Sequence, residues 1–261
     1  MKNVSILVLL CAVIASCSTN YSIEGTSDVS MLDGHMLFLK GMKGKEIGNL
    51  DSCDIVHGKF AFHGQIDSTQ VGAIFLDNEN LMPVVLEEGD IKMTINSSGQ
   101  KCSGSPLNDK LSEFTEKFNQ IVNQMSDLQH QHDQAIMDGK DLDEVVVKLQ
   151  TKADKLAADQ ETLITKFIEE NFDNVLAPFA FQLVTENMQY PMFSPWIEAL
   201  MSKATDTFKN NDYVREFMQA AERNHNIMNG MEEPAPQVPA MPADQSAGQV
   251  PTPNELAAPA Q

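Results

Sequence analysis

Leu107, Leu111, Phe114, Phe118, Ile121, Met125 and Leu128 follow one another at alternating steps of four and three residues. After an interruption from Met137 to Asp141 the rhythm returns with Leu142, Val146, Leu149, Ala153, Leu156, Gln160, Leu163 and Phe167. A 4-3 spacing holds one apolar seam along one side of an α-helix, as in a coiled coil. Two such helices joined by a short polar loop predict an antiparallel helical hairpin. The flanks of this stretch differ. The N-terminal flank alternates like β-strands, and the C-terminal flank is helical and then rich in proline. The fold class read from this pattern is α+β: an N-terminal antiparallel β-sandwich, an α-helical hairpin, then further helices.

From Tyr21 to Ser103 the hydrophobic period is two. Tyr21 to Gly25, His35 to Leu39, Lys59 to Gly64, Val71 to Leu76, Met82 to Leu86 and Ile91 to Ile95 each read as a short strand. Asp33-Gly34, Lys43-Gly44, His57-Gly58, Glu88-Gly89-Asp90 and Ser98-Gly99 supply turns between them. Strands at this spacing predict an antiparallel sandwich. A parallel sheet is not expected, because no gap is long enough for a crossover helix.

Ser105-Pro106 sets the next boundary, with a cap residue before a proline suited to the first helical position. Gly139 is a natural helix stop. Asp141 and Glu144 have the spacing of a capping box for the second helix, which is expected to run to about Asn171. A short helix is predicted over Val175 to Asn187. Ser194-Pro195 starts another, and a last helix carries Tyr213, Val214, Phe217, Met218 and Ala221. Residues 230–261 hold many Pro, Ala and Gln residues, and from Glu232 onward no aromatic, so little there can offset chain entropy. This tail is expected to be disordered.

The first residues read as a processing signal. Met1-Lys2-Asn3 is a short basic start, and Val4 to Ile14 is an apolar run too short to span a bilayer. Ile14-Ala15-Ser16-Cys17 resembles the lipobox of bacterial lipoproteins, in which the cysteine is acylated and becomes the mature N-terminus. Residues 1–16 are then a signal peptide and Cys17 the lipidation site. Acyl chains contribute roughly 0.8 kcal/mol per buried methylene, so several of them anchor a protein stably to a membrane. Ser18-Thr19-Asn20-Tyr21 has no acidic run of the kind some lipoproteins use to reach the cell surface, which favours a periplasm-facing protein. The expected divisions are therefore 1–16, a β-sandwich over 17–104, a helical part over 105–229 with its hairpin at 107–171, and the tail at 230–261.

Charge and cysteine usage narrow the function. The net charge is -19, from 37 acidic and 18 basic side chains. That argues against a nucleic-acid protein, since phosphates need Lys and Arg. It also argues against electrostatic attachment to an anionic membrane. Cys53 and Cys102 remain once the signal and the lipid site are set aside. In an oxidising compartment they could form a disulfide, or be two buried apolar thiols. No C-x-x-C occurs, so the usual redox dithiol is missing.

Several marks together resemble a known family. They are Tyr21-x-Ile23-x-Gly25, then Asp51-Ser52, then Gly58-Lys59-Phe60-x-Phe62-x-Gly64. Val85-Leu86-Glu87-x-Gly89 and Gly104-Ser105-x-Leu107-Asn108 complete the set. In this order and spacing they resemble a domain of unknown function found at the front of thioredoxin-fold lipoproteins of Gram-negative bacteria. Phe167-Ile168-x-Glu170-Asn171 and Tyr213-Val214 are similar to the helical segment after that domain in those proteins. The resemblance implies that a thioredoxin-like module would come next and carry out disulfide chemistry. Here the Pro/Ala-rich tail takes its place, and no residue matches the redox motif, so the activity does not carry over.

Other chemistry is weakly signalled. His57 and His63 flank a strand but lack a third ligand, and His130 and His132 point different ways on a helix. Met188, Met192, Met201, Met218, Met228 and Met231 could hold Cu(I), although methionine more often fills irregular cores. Asp138, Asp141 and Asp143 surround Gly139 without the twelve-residue calcium-loop pattern. No G-x-S-x-G, H-E-x-x-H, P-loop or dinucleotide glycine pattern occurs. No catalytic residue, metal site or cofactor is assigned. The expectation is a non-enzymatic, outer-membrane-anchored lipoprotein acting as a binding or scaffolding module for an envelope protein. The alternatives are an accessory to a thioredoxin-like reductase, or a small-ligand carrier.

Overall fold

The computed structural model describes residues 19–43, 46–186 and 188–233. The signal peptide, Cys17 and residues 234–261 of the tail lie outside the described residues. Eight strands come first: β1 (Thr19–Ser27), β2 (Met36–Lys43), β3 (Glu46–Asp54), β4 (Lys59–Ile66), β5 (Gln70–Leu76), β6 (Glu79–Leu86), β7 (Gly89–Asn96) and β8 (Gly99–Ser103). They form two four-stranded sheets, ordered β4-β1-β7-β8 and β3-β2-β5-β6. The sheets enclose a shared core that includes Ile23, Leu37, Leu39, Phe62, Ile74, Leu86, Ile91 and Met93, all essentially inaccessible to water. The class is α+β, with antiparallel pairing dominant.

One pairing departs from expectation: β1 lies parallel to β7, with Ile23 beside Ile91. The crossover between them is not a helix. The chain leaves β1, builds the whole second sheet and β4, and only then returns. Strands β3 and β8 also go beyond the alternation visible in the sequence. β3 carries Gly48, Asn49, Asp51 and Ser52, and β8 carries Gln100 and Lys101. Both are edge strands, where polar residues are tolerated because one side has no neighbour.

Two glycines fix the β1–β4 ribbon. Tyr21 stands directly opposite Gly64, and Phe60 directly opposite Gly25, on either side of the Ile23–Phe62 pair. Each aromatic ring lies across its glycine so closely that a Cβ there would overlap it. A missing side chain on one strand thus makes room for a ring from the other.

Six helices come after the strands: α1 (Pro106–Met137), α2 (Leu142–Glu169), α3 (Leu176–Thr185), α4 (Pro195–Lys203), α5 (Asp206–Lys209) and α6 (Asp212–Met228). α1 and α2 form the hairpin. α1 ends where Gly139 takes a left-handed φ of 64° and the amide of Lys140 bonds back to the Ala135 carbonyl at 3.1 Å. Asp141 caps α2, accepting from the Asp143 amide at 3.1 Å. Its predicted capping-box partner Glu144 is drawn instead to Lys148, one turn along.

The helical core gathers around Phe181, which meets Trp196, Phe208, Tyr213 and Phe217 at centroid distances of 5.2 to 6.3 Å. Leu111 and Phe114 of α1 and Ile164, Phe167 and Ile168 of α2 enter this core, with Phe114 stacked on Phe167 at 4.1 Å. Only the base of the hairpin is held in this way. Beyond it Phe118, Ile121, Met125, Leu149, Leu156 and Leu163 are half-buried between the two helices, and Leu142 and Val146 of the predicted seam are exposed.

Two measurements check this packing. Leu111→Ala should cost about 2–5 kcal/mol in urea unfolding, as for a filled core site. Leu156→Ala in the half-buried arm should cost visibly less. An equal loss at both positions would contradict a base-anchored hairpin. Gly25→Ala and Gly64→Ala should each lower stability by about 1–3 kcal/mol, the usual cost of overpacking.

Candidate functional site

The strongest local construction joins the sheets to the helices. Ser105 was expected to cap α1, but its side chain caps no backbone amide. One residue beyond the end of strand β6 stands Glu87, which is 9% exposed, and Glu87 supplies the cap. Its Oε1 accepts from the amides of Leu107 at 3.0 Å and Asn108 at 3.2 Å. A carboxylate also suits the positive end of a helix dipole.

Asn108 completes the joint from the helix side. It is wholly buried, a costly place for an amide unless every polar group is bonded. Its Oδ1 accepts from the Val85 amide at 2.9 Å, and its Nδ2 donates to the Val85 carbonyl at 2.7 Å. One side chain therefore bonds the edge of β6 as a neighbouring strand would. Nδ2 also reaches the Ser105 hydroxyl at 2.9 Å, which explains why that hydroxyl is not capping. The Ser112 hydroxyl ties α1 to the Cys102 carbonyl of β8, and the Gly104 amide donates to Asp109 at 3.1 Å. In the sequence Val85-Leu86-Glu87 and Ser105-x-Leu107-Asn108 stand apart, and no local pattern pairs them. The available signals are that both segments are among the marks of the family resemblance, and that an amide side chain, Asn108, stands in the first turn of an otherwise amphipathic helix.

The structure disperses the predicted site residues. Cys17 is outside the described residues. Cys53 and Cys102 are free thiols. Cys53 lies on β3 and Cys102 on β8, edge strands at opposite sides of the sandwich. Strands β3 and β4 meet at one side, and β6 and β8 at the other. Three strand spacings of about 4.8 Å separate these sides, well beyond the roughly 7 Å Cα limit for a disulfide. A bond between them would require the sandwich to come apart. Burial pushes the Cys102 thiol up to about 12. Cys53 is pushed up to about 11 by burial, with the Asp51 and Asp54 carboxylates adding to the effect against a backbone hydrogen bond from Ala61.

His57 sits exposed in a turn at a φ of 52°, and His63 faces outward on β4, its amide donating to Asp51 at 3.3 Å. His130 is exposed on α1, whereas His132 is half-buried, its Nδ1 3.5 Å from the Asp133 carboxylate. Among the described residues no three His, Cys, Asp or Glu side chains are grouped as metal ligands. Met188, Met192, Met228 and Met231 are exposed, whereas Met201 and Met218 pack against the helical core. Open clefts occur among the described residues. One of about 370 Å³ is lined by Phe172, Val175, Pro178 and Asn211. Another, of about 240 Å³, lies between α1 and α2 beside Ala135, Lys148 and Lys152.

The far end of the hairpin carries exposed apolar residues. Ile136, Met137, Leu142, Val146 and Val147 cluster at its tip, with Met137 81% and Val147 66% exposed. At about 1.5 Å per residue, the 32 residues of α1 span about 48 Å, so the tip stands far from the buried base.

Residues 21–111 match the model of a protein family described as a domain of unknown function, DUF4369. The matched segment ends at Leu111, so it takes in the sandwich, Glu87 and the Asn108 joint. No curated protein and no solved structure matches the chain.

Asn108→Ala should destabilise by about 1–3 kcal/mol, because it strips the edge of β6 of its partner and removes the Asn108 Nδ2 donor that lies 3.4 Å from Glu87 Oε1. Hydrogen exchange would show the loss first at the Val85 amide. The thiols give a pH prediction. Both titrate higher in the folded chain than the ordinary value of 9.0, so the unfolded chain gives up their protons at lower pH. Their contribution is complete below about pH 9 and is lost as pH rises towards 11 and 12. Native alkylation near pH 8 should be slow at both and fast once the chain is unfolded. A rapidly reacting native thiol would contradict this burial.

Proposed function

We propose that this protein is a lipid-anchored, periplasm-facing lipoprotein of the outer membrane that binds or scaffolds another envelope protein and performs no catalysis. The carrying observation is the hairpin. Its base is locked into the helical core, while its tip presents Ile136, Met137, Leu142, Val146 and Val147 to solvent. Several exposed large apolar residues gathered at one end of an otherwise polar helix pair are a mark of a contact site. The anchor rests on the sequence Ile14-Ala15-Ser16-Cys17. The thioredoxin association of the resemblance supports the envelope setting but supplies no residue for a reaction here.

Two experiments test the reading separately. Cells given labelled palmitate should label the full chain and leave Cys17→Ala unlabelled; equal labelling would end the anchor assignment. A photo-crosslinking residue at Val147 should yield a discrete adduct with an envelope protein, and Met137→Asp should abolish it without changing the melting temperature. If the tip yields no adduct in cells, the binding role falls while the anchor stands.

A further inference from the structure

Tracing the strands places the chain's start beside an exposed apolar corner. Thr19 at the head of β1 pairs with Ile66 at the end of β4. Four residues later Gln70 opens β5, and its side chain grips Met42 at the end of β2, accepting from the amide at 2.7 Å and donating to the carbonyl at 3.3 Å. Met42 in turn stands directly opposite Ile47 at the start of β3. Thr19, Ile66, Gln70, Met42 and Ile47 therefore occupy one end of the sandwich. Cys17 precedes Thr19 by two residues, a reach of at most about 7 Å at roughly 3.3–3.6 Å per residue.

Met42 is 44% and Ile47 74% exposed, on the outer face of their sheet. Across the same face, on β5 and β6, Val71 and Val85 join the helical core, so Met42 and Ile47 are the part of this end that stays exposed. Elsewhere single exposed apolar residues need no explanation. Here two of them form a cross-strand pair, one of them with its backbone held by Gln70, and lie at the end from which an acylated Cys17 would enter a bilayer.

We propose that the Met42–Ile47 corner is a second membrane contact, seated in the lipid interface next to the N-terminal acyl chains. This inference rests on the lipid-anchor reading of Cys17. The contact would hold the sandwich at a fixed tilt to the membrane, where two residues of linker alone would let it swivel. Its ligand is the acyl–headgroup boundary of a phospholipid surface, entered by apolar side chains as shallow interfacial anchors do.

The test uses the full acylated chain in phosphatidylethanolamine–phosphatidylglycerol vesicles containing brominated acyl chains. Ile47→Trp should lose about twofold more emission than Met36→Trp, because bromine quenches only a ring at acyl depth in the interface. Met36 is the control: it is exposed to the same degree as Met42 and lies at the opposite end of β2. Trp196, half-buried against Thr165, gives the unchanged background in the unsubstituted chain. Equal quenching at positions 47 and 36, in protein whose mass shows the acyl chains, overturns the corner contact and leaves the anchor intact. A mass without acyl chains overturns the anchor itself. A photo-crosslinking residue at position 47 in cells separates the remaining occupant. Adducts of phospholipid mass support the contact, and an adduct to a protein overturns it.

Discussion

The bond between the Asn108 amide and the edge of strand β6 is the constraint on which the rest of the architecture depends. A sheet edge left bare beside a helix would bury an unpaired amide and carbonyl, each costly away from water. Asn108 satisfies both at Val85, and Glu87 in return satisfies the first amides of α1. The two halves thereby complete each other's hydrogen bonding across the joint. Apolar packing comes from that alignment. With α1 fixed to β6, Val71 and Val85 on the outer face of one sheet become part of the helical core.

The same constraint explains how the hairpin is divided. Helix α1 leaves the joint with Leu111 and Phe114 turned into the core, and Phe167 returns on α2 to stack on Phe114. Past this clamp the two helices have, among the described residues, only each other to pack against. Two helices can bury one seam but not the surface around it. Half-buried seam residues and a bare tip result from that geometry. The stiffness of the arm comes from its clamped base, so the orientation of the tip is set at Phe114 and Phe167, about six turns away along each helix.

Much of this was legible in the chain and some was not, for reasons that can be named. The hairpin was readable because its 4-3 rhythm is long and its stops, Gly139 and Asp141, act through local backbone chemistry. Strands with alternating apolar residues, such as Phe60-Ala61-Phe62, were equally plain. Strands β3 and β8 escaped notice because edge positions relax the demand for apolar alternation. The parallel β1–β7 pair escaped because its crossover is built of strands and not of a helix. The cap of α1 was misassigned to Ser105 because a cap delivered by a carboxylate 20 residues upstream leaves no local trace. Of the candidate residues, the cysteines were found by type, but only the strand order separates them to opposite sides. Methionine and histidine counts carried no spatial information at all.

The parallel pairing of β1 also has a kinetic consequence. β1 is made first, yet its two neighbours are β4 and β7, which begin some forty and seventy residues later. Until both have been synthesised, β1 keeps an open edge and an apolar face centred on Ile23. Contacts so distant in sequence slow folding, because loop closure must precede the pairing that rewards it. The hairpin is the opposite case, since α1 and α2 are adjacent and can zip locally. The helical half is thus built to acquire structure early, and the half nearest the N-terminus to acquire it last. A chain emerging from its N-terminus would spend that interval with its first strand in need of shielding.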